Sequence, residues 1–168
     1  MAIGRFQVMA MLQAARAYRL GLPLESSLSW GLNRAIFYAA AKRGFRRLKM
    51  PKRPREEMLK RPMMERRDVF YLGDEMAYKA EVDGVLCFTI GGKPQTAEDF
   101  RREIARRFGE AFDEAWREAL EIVGSYDKEI LLSQRRFYEE VYKPRRDILA
   151  ERWSRLVRER RRTSNSSS

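Results

Sequence analysis

From Arg5 to Leu20 the chain reads RFQVMAMLQAARAYRL, a run without Gly or Pro in which Ala, Met and Leu recur. These residues favour an α-helix, and at ~100° per residue Arg5, Arg16 and Arg19 fall on one side of it. Gly21-Leu22-Pro23 ends the run, with glycine as the C-cap and proline unable to continue. Ser26 or Ser27 N-caps a second helix that runs to about Arg47. The pattern predicts a helical hairpin with a connection of about six residues.

The second helix is the unusual one. Trp30, Arg34, Phe37 and Ala41 lie close to one line, and Leu28, Leu32, Ala35, Ile36 and Ala39 occupy much of the remaining circumference. A helix apolar nearly all round is covered nearly all round. A two-helix hairpin is too small to supply that cover, so a second chain is expected against Trp30, Leu32, Ile36, Phe37 and Tyr38.

Pro51, Pro54 and Pro62 stand among Lys, Arg and Glu in residues 48–67, which read as a stiff, extended, basic connector. Beyond it comes an apolar patch, Val69-Phe70-Tyr71-Leu72, and then YKAEV-DG-VLCFTI. Asp83-Gly84 between two strand-like runs is a strong hairpin signal. After the loop Gly91-Gly92-Lys93-Pro94, Thr96 and Asp99 resemble a capping box that opens a helix over about 97–123. Gly124-Ser125 breaks it, and a last helix runs from Tyr126 to about Arg162, kinked or divided at Pro144. The expected fold is therefore mainly α. An N-terminal helix-turn-helix arm (1–47) and the Pro-rich connector (48–67) precede a helical C-terminal body carrying a small β-hairpin (68–162). Residues 163–168 are polar with nothing to bury, and are expected to be a disordered tail.

Charge sharpens this division. The 168 residues carry a formal net charge of +11. Residues 1–67 hold 16 Lys/Arg against 4 Asp/Glu, residues 68–151 hold 13 against 19, and residues 152–168 hold 6 against 1. The basic character thus belongs to the N-terminal third and the C-terminal tail. A solvated surface normally mixes the signs, so this segregation argues for a binding arm, suited to a polyanion, attached to a neutral-to-acidic body. Arg outnumbers Lys 27 to 8 while Asn and Gln total 6, a balance that fits a hot environment.

Much chemistry is excluded. Without histidine there is no imidazole base, triad or His-ligated zinc, and one cysteine, Cys87, leaves no disulfide framework or thiolate cluster. Gly91-Gly92-Lys93 is too short for a phosphate-binding P-loop. EVDGVLCFTIGGKP looks like the strand pair of RecB-like nucleases, with Asp83 in a metal-ligand place. Phe88-Thr89-Ile90 stands where that family needs Glu-x-Lys, so the second carboxylate and the lysine are missing and Mg²⁺ would lack ligands. No catalytic, metal or cofactor site is expected, and no small-molecule substrate. No apolar run approaches a membrane span.

The arginines and lysines of the arm carry the functional expectation. Arg5, Arg16, Arg19, Arg34, Lys42, Arg43, Arg46, Arg47, Lys49, Lys52, Arg53 and Arg55 are read as phosphate contacts, with Asn33 the main amide able to reach a base edge. Such a set binds duplex DNA without base specificity.

A basic helical hairpin at the N-terminus and a helical body behind it resemble the major capsid proteins of filamentous archaeal viruses, the rudivirus, lipothrixvirus and tristromavirus group. WGLNRAIFYAAAKRG is similar to that family's arm helix. The resemblance implies a nucleocapsid protein that polymerises around double-stranded DNA held in the A form, in a virion assembled in the host cytoplasm. It implies further copies of the chain, or a paralogous capsid protein in a heterodimer, as partners, and a membrane only as an outer envelope. The alternative is a cellular basic nucleic-acid-binding protein, chromatin-like or ribosome-associated, of a hyperthermophile.

Overall fold

Eleven consecutive side chains, Gln7 to Ala17, are buried on helix α1 (Arg5–Arg19), so this helix is the axis around which the other helices pack. The computed structural model describes residues 2–42, 69–72, 75–82, 85–89 and 95–166, with side chains placed at 2–36, 38–39 and 101–165. The described chain is mostly helical.

The end of α1 forms a Schellman cap. Gly21 takes φ 102°, the amide of Leu22 donates to Ala17 O (3.1 Å) and that of Gly21 to Tyr18 O (3.1 Å). Helix α2 (Leu24–Lys42) follows directly after Pro23. Its start lies before Ser26 and Ser27, so neither is the cap. The Ser27 hydroxyl donates instead to Leu22 O at 3.3 Å. The turn returns α2 antiparallel along α1, with Gly31 against Ala10 and Ala14.

Over residues 26–35 α2 is covered by its own chain. Trp30 is fully buried among Ala17, Leu20 and Leu22, and Leu28, Leu32 and Ala35 enter the main core. Ile36 and Tyr38 are partly buried against that core, and the side chain of Phe37 lies outside the described residues. A second chain is therefore not needed over Trp30 or Leu32. The helices that the sequence assigns to a separate body supply the cover, because α1 packs against them as well.

Over 69–96 the backbone forms strands β1 (Val69–Leu72), β2 (Glu75–Val82), β3 (Val85–Thr89) and β4 (Gln95–Thr96), antiparallel in that order. The Asp83-Gly84 turn and the 48–67 connector lie outside the described residues.

The single helix expected over 97–123 is two. Gly109, at φ 54°, ends α3 (Ala97–Phe108), and a 3₁₀ turn at Gly109–Ala111 leads into α4 (Phe112–Gly124). Their inward positions Ile104, Phe108, Ala111, Ala115, Ala119 and Val123 keep helical spacing across the break, which is why the pattern reads as continuous.

The last expected helix is also divided. α5 (Lys128–Leu132) and the short α6 (Gln134–Arg136) precede a π-helical turn, Phe137–Tyr142, whose bond runs from Lys143 N to Tyr138 O at 2.8 Å. Pro144 sits in the break before α7 (Arg146–Ser166). α7 buries Leu149, Trp153 and Val157, with Trp153 edge-on to Phe108 at 5.7 Å between ring centroids. Ser154 holds the chain start, accepting from Ile3 N at 2.8 Å. α7 continues through Ser166, so the expected tail from 163 is helical to that point, with Thr163 donating to Glu159 O at 3.0 Å.

Candidate nucleic-acid interface

Four of the arginines expected on phosphate belong to the described part of α1 and α2, and each has a partner within the chain: Arg5 and Arg19 at the surface, Arg16 and Arg34 buried. Arg5 makes a bidentate pair with Asp147 at the start of α7, at 2.9 and 3.1 Å. That contact favours the charged form and raises the guanidinium's pKa. Arg19 reaches across to Leu120 O at 3.0 and 3.2 Å. There it meets a carbonyl in the last turns of α4, where the helix dipole favours a cation. Arg34 is 7% exposed, with its guanidinium 5.4 Å from the Tyr38 ring centre.

Arg16 is fully buried. Its Nε donates to Leu131 O at 2.5 Å, and Nη1 donates to Gln13 Oε1 at 3.0 Å and Gln134 Oε1 at 2.7 Å. The guanidinium also lies 5.2 Å from the centre of the Phe137 ring. Gln134 in turn donates to the Tyr38 hydroxyl. A guanidinium stays charged even when buried, and this network of oxygens, together with the ring face, takes the place of water. Arg16 and Arg34 are buried, and packing gives their charge to the core; Arg5 and Arg19 are exposed, each already engaged by a partner at the surface. Asn33 is likewise inward, donating to Ser29 O at 2.8 Å.

Lys42 closes the described part of α2, and its side chain, with Arg43, Arg46, Arg47, Lys49, Lys52, Arg53 and Arg55, lies outside the described residues. Residues 42–67 contain twelve Lys/Arg and three Asp/Glu. Tyr38, one turn before the end of the described part of α2, lines a small cleft of about 270 Å³ together with Arg5, Phe6, Met9, Tyr138 and Tyr142. Tyr38 stacks on Tyr138 at 5.6 Å and Tyr142 follows at 5.3 Å. Burial pushes the Tyr142 phenol up to about 12, and its hydroxyl donates to Arg5 O at 3.4 Å. Sequence reasoning misses Gln134, Tyr138 and Tyr142, since the π-helical turn that brings the two tyrosines together leaves no mark in the apolar spacing.

On the other side, α4 and α7 face each other with opposite charge. Glu114 pairs with Arg160 and Glu118 with Arg152, in a groove that Glu110, Asp113 and Glu121 also line. Exposed pairs of this kind contribute little individually, but they neutralise that flank of α7. Arg158, Arg161 and Arg162 are exposed, and none has an ion-pair partner among the described residues.

Among the described residues no group of three His, Cys, Asp or Glu is placed to hold a metal ion, and no helix is long and apolar enough to cross a membrane. Comparison with protein-family models, curated proteins and solved structures finds no match.

Proposed function

We propose that the protein is a structural nucleic-acid-binding protein that coats double-stranded DNA without base specificity, as a nucleocapsid subunit does. The observation that carries this reading is the charge of residues 42–67, twelve cations against three anions. The fold sharpens it by subtraction. Arg16 and Arg34 are buried and Arg5 and Arg19, though exposed, are engaged by Asp147 and Leu120 O, which favours Lys42, Arg43, Arg46, Arg47, Lys49, Lys52, Arg53 and Arg55 as the main phosphate contacts. The α1–α2 hairpin is then the rigid base from which the basic arm leaves, and the β-hairpin belongs to the body behind it.

The resemblance to the capsid proteins of filamentous archaeal viruses supports assembly of many copies on one duplex. Copies then meet through surfaces other than Trp30 and Leu32, which are core. Exchange of water for guanidinium along the backbone favours the A form, whose major groove is too deep and narrow to admit side chains. Contacts in the filament therefore run to backbone rather than to bases.

The test is titration of linear duplexes of several sequences across a salt series, with negative-stain imaging of the saturated complex. Affinity should fall steeply with salt at about 0.9 log unit per log unit of salt for each phosphate neutralised, with little dependence on sequence. Arg46→Ala with Arg47→Ala should weaken all duplexes about equally. Filaments at a saturating, fixed stoichiometry favour the capsid reading over a dispersed cellular DNA-binding protein. A salt-independent Kd, or strong preference for one sequence, removes both.

A further inference from the structure

The C-terminal part of α7 runs on after its last contact with the core. Val157 is the final buried residue, and from Arg158 to Asn165 every side chain is exposed. A helix normally continues where packing rewards it; this one continues as a projection. Four of the five residues 158–162 are arginine.

Their placement around the helix is not uniform. At ~100° per residue, Arg155, Arg158 and Arg162 fall within about 60° of each other, opposite Leu149, Trp153 and Val157, while Arg161 lies about 60° from Arg158 on the flank toward Val157. Arg160 points the other way, toward Glu114 of α4. The inward arginine is thus neutralised; among the outward ones Arg155 pairs with Glu151 at 3.2 Å, and the one carboxylate within 158–162, Glu159, makes no ion pair among the described residues. Arg158 and Arg162 stand about 6 Å apart along the axis.

We infer that Arg158, Arg161 and Arg162 form a second phosphate-binding element, separate from residues 42–67, which grips the sugar–phosphate backbone of the same nucleic acid. This inference rests on the nucleic-acid reading above and adds a site to it. Guanidinium groups suit phosphate because their fork meets two oxygens at once. An anionic bilayer is a poorer fit. Residues 158–166 are Arg, Glu, Thr, Ser and Asn, with no apolar side chain to insert beneath the headgroups.

The location makes the element distinct. Asp147, at the start of α7, pairs with Arg5 beside the cleft that Tyr38, near the described end of α2, also lines. Arg158 is eleven residues further along α7, about 16 Å away. The described end of α2 and the α7 arginines are therefore at different places on the bundle, which lets one subunit hold a duplex at two points.

The experiment compares the full-length protein with the triple variant Arg158→Gln, Arg161→Gln, Arg162→Gln on a 30-bp duplex across a salt series (the duplex length gives roughly three helical turns). A control variant, Arg106→Gln, Lys128→Gln, Arg135→Gln, removes equal charge from other exposed positions. We expect the triple variant to bind every duplex more weakly and to flatten the plot of log K against log salt by about 2 to 3 units, at ~0.9 for each phosphate that is no longer neutralised. The control keeps the slope, and lysine at the three positions restores it. An unchanged slope in a triple variant that still binds overturns the second element and leaves the arm standing. An equal loss in the control shows a general charge effect and overturns it too. No binding by the unaltered protein removes the nucleic-acid reading and this element together. Binding of the triple variant to DNA unchanged, with loss only of self-association, overturns the element by assigning the stripe to the acidic face of another copy.

Discussion

A Cβ placed on Gly31 would stand 2.3 Å from the backbone oxygen of Ala10 and 2.7 Å from the Cβ of Ala14. α1 and α2 touch here through backbone, and the glycine permits the approach. Ala10, Ala14 and Ala17 along the facing side of α1 are all fully buried, so there is no slack around the contact.

Gly31→Ala should therefore destabilise the fold by about 3 kcal/mol, the upper end of overpacking costs. On an exposed helix the same change would stabilise by up to ~1 kcal/mol through propensity; the sign separates the two environments. Urea unfolding measures it, and a midpoint equal to or above that of the unaltered protein contradicts the close approach.

Arg16→Met tests whether that guanidinium serves the core or a phosphate. The substitution leaves Leu131 O and Gln134 without their charged donor in a buried site. Buried hydrogen bonds to a charge are worth ~1.5–3 kcal/mol each, so a loss on the order of 3 kcal/mol is expected in chemical unfolding. DNA affinity and its salt slope, read below the unfolding range, should not move. A flatter slope with unchanged stability would return Arg16 to the interface.

Hydrogen exchange distinguishes cover by the same chain from cover by a partner. Leu28, Trp30 and Leu32 are at most 3% exposed within one chain. Amides over 28–36 should be strongly protected in the DNA-free protein at concentrations where sedimentation shows a monomer. Protection that appears only with self-association would restore a second chain over this face.

Alkaline pH should act through Tyr142. Folding favours its neutral phenol, raising the value from 10.0 to about 12, chiefly by burial. The unfolded chain ionises first, so this contribution to stability is full below pH 10 and is lost as pH rises through about 12. Tyr142→Phe has no such proton to lose. Its stability relative to the unaltered protein should improve over that window, with tyrosinate absorbance reporting the late-titrating group. Parallel pH curves for the two proteins would refute it.

Local rules account for what is legible in the chain alone. The end of α1 at Gly21 follows from a left-handed cap and a proline two residues later, both properties of the residues themselves. The apolar positions of α3, α4 and α7 are legible because helical spacing repeats whatever lies opposite. The net charge of residues 42–67 needs no fold at all.

What surrounds each helix is a different kind of information. α1 and α2 have similar small, apolar sequences, and spacing alone does not say that α1 is enclosed by the C-terminal helices while α2 lies between it and α3. Charge misled for the same reason. An arginine carries its charge into any environment that supplies oxygens, and Leu131 O, Gln134, Asp147 and Leu120 O come from more than a hundred residues along the chain. Only the tertiary packing brings those acceptors to Arg16, Arg5 and Arg19, and only the end of packing at Val157 leaves Arg158, Arg161 and Arg162 facing water. The sequence determined how much charge there is and which stretches are broadly helical; burial and pairing, set by contacts distant in the chain, decided where those helices divide and which charges are engaged within the fold.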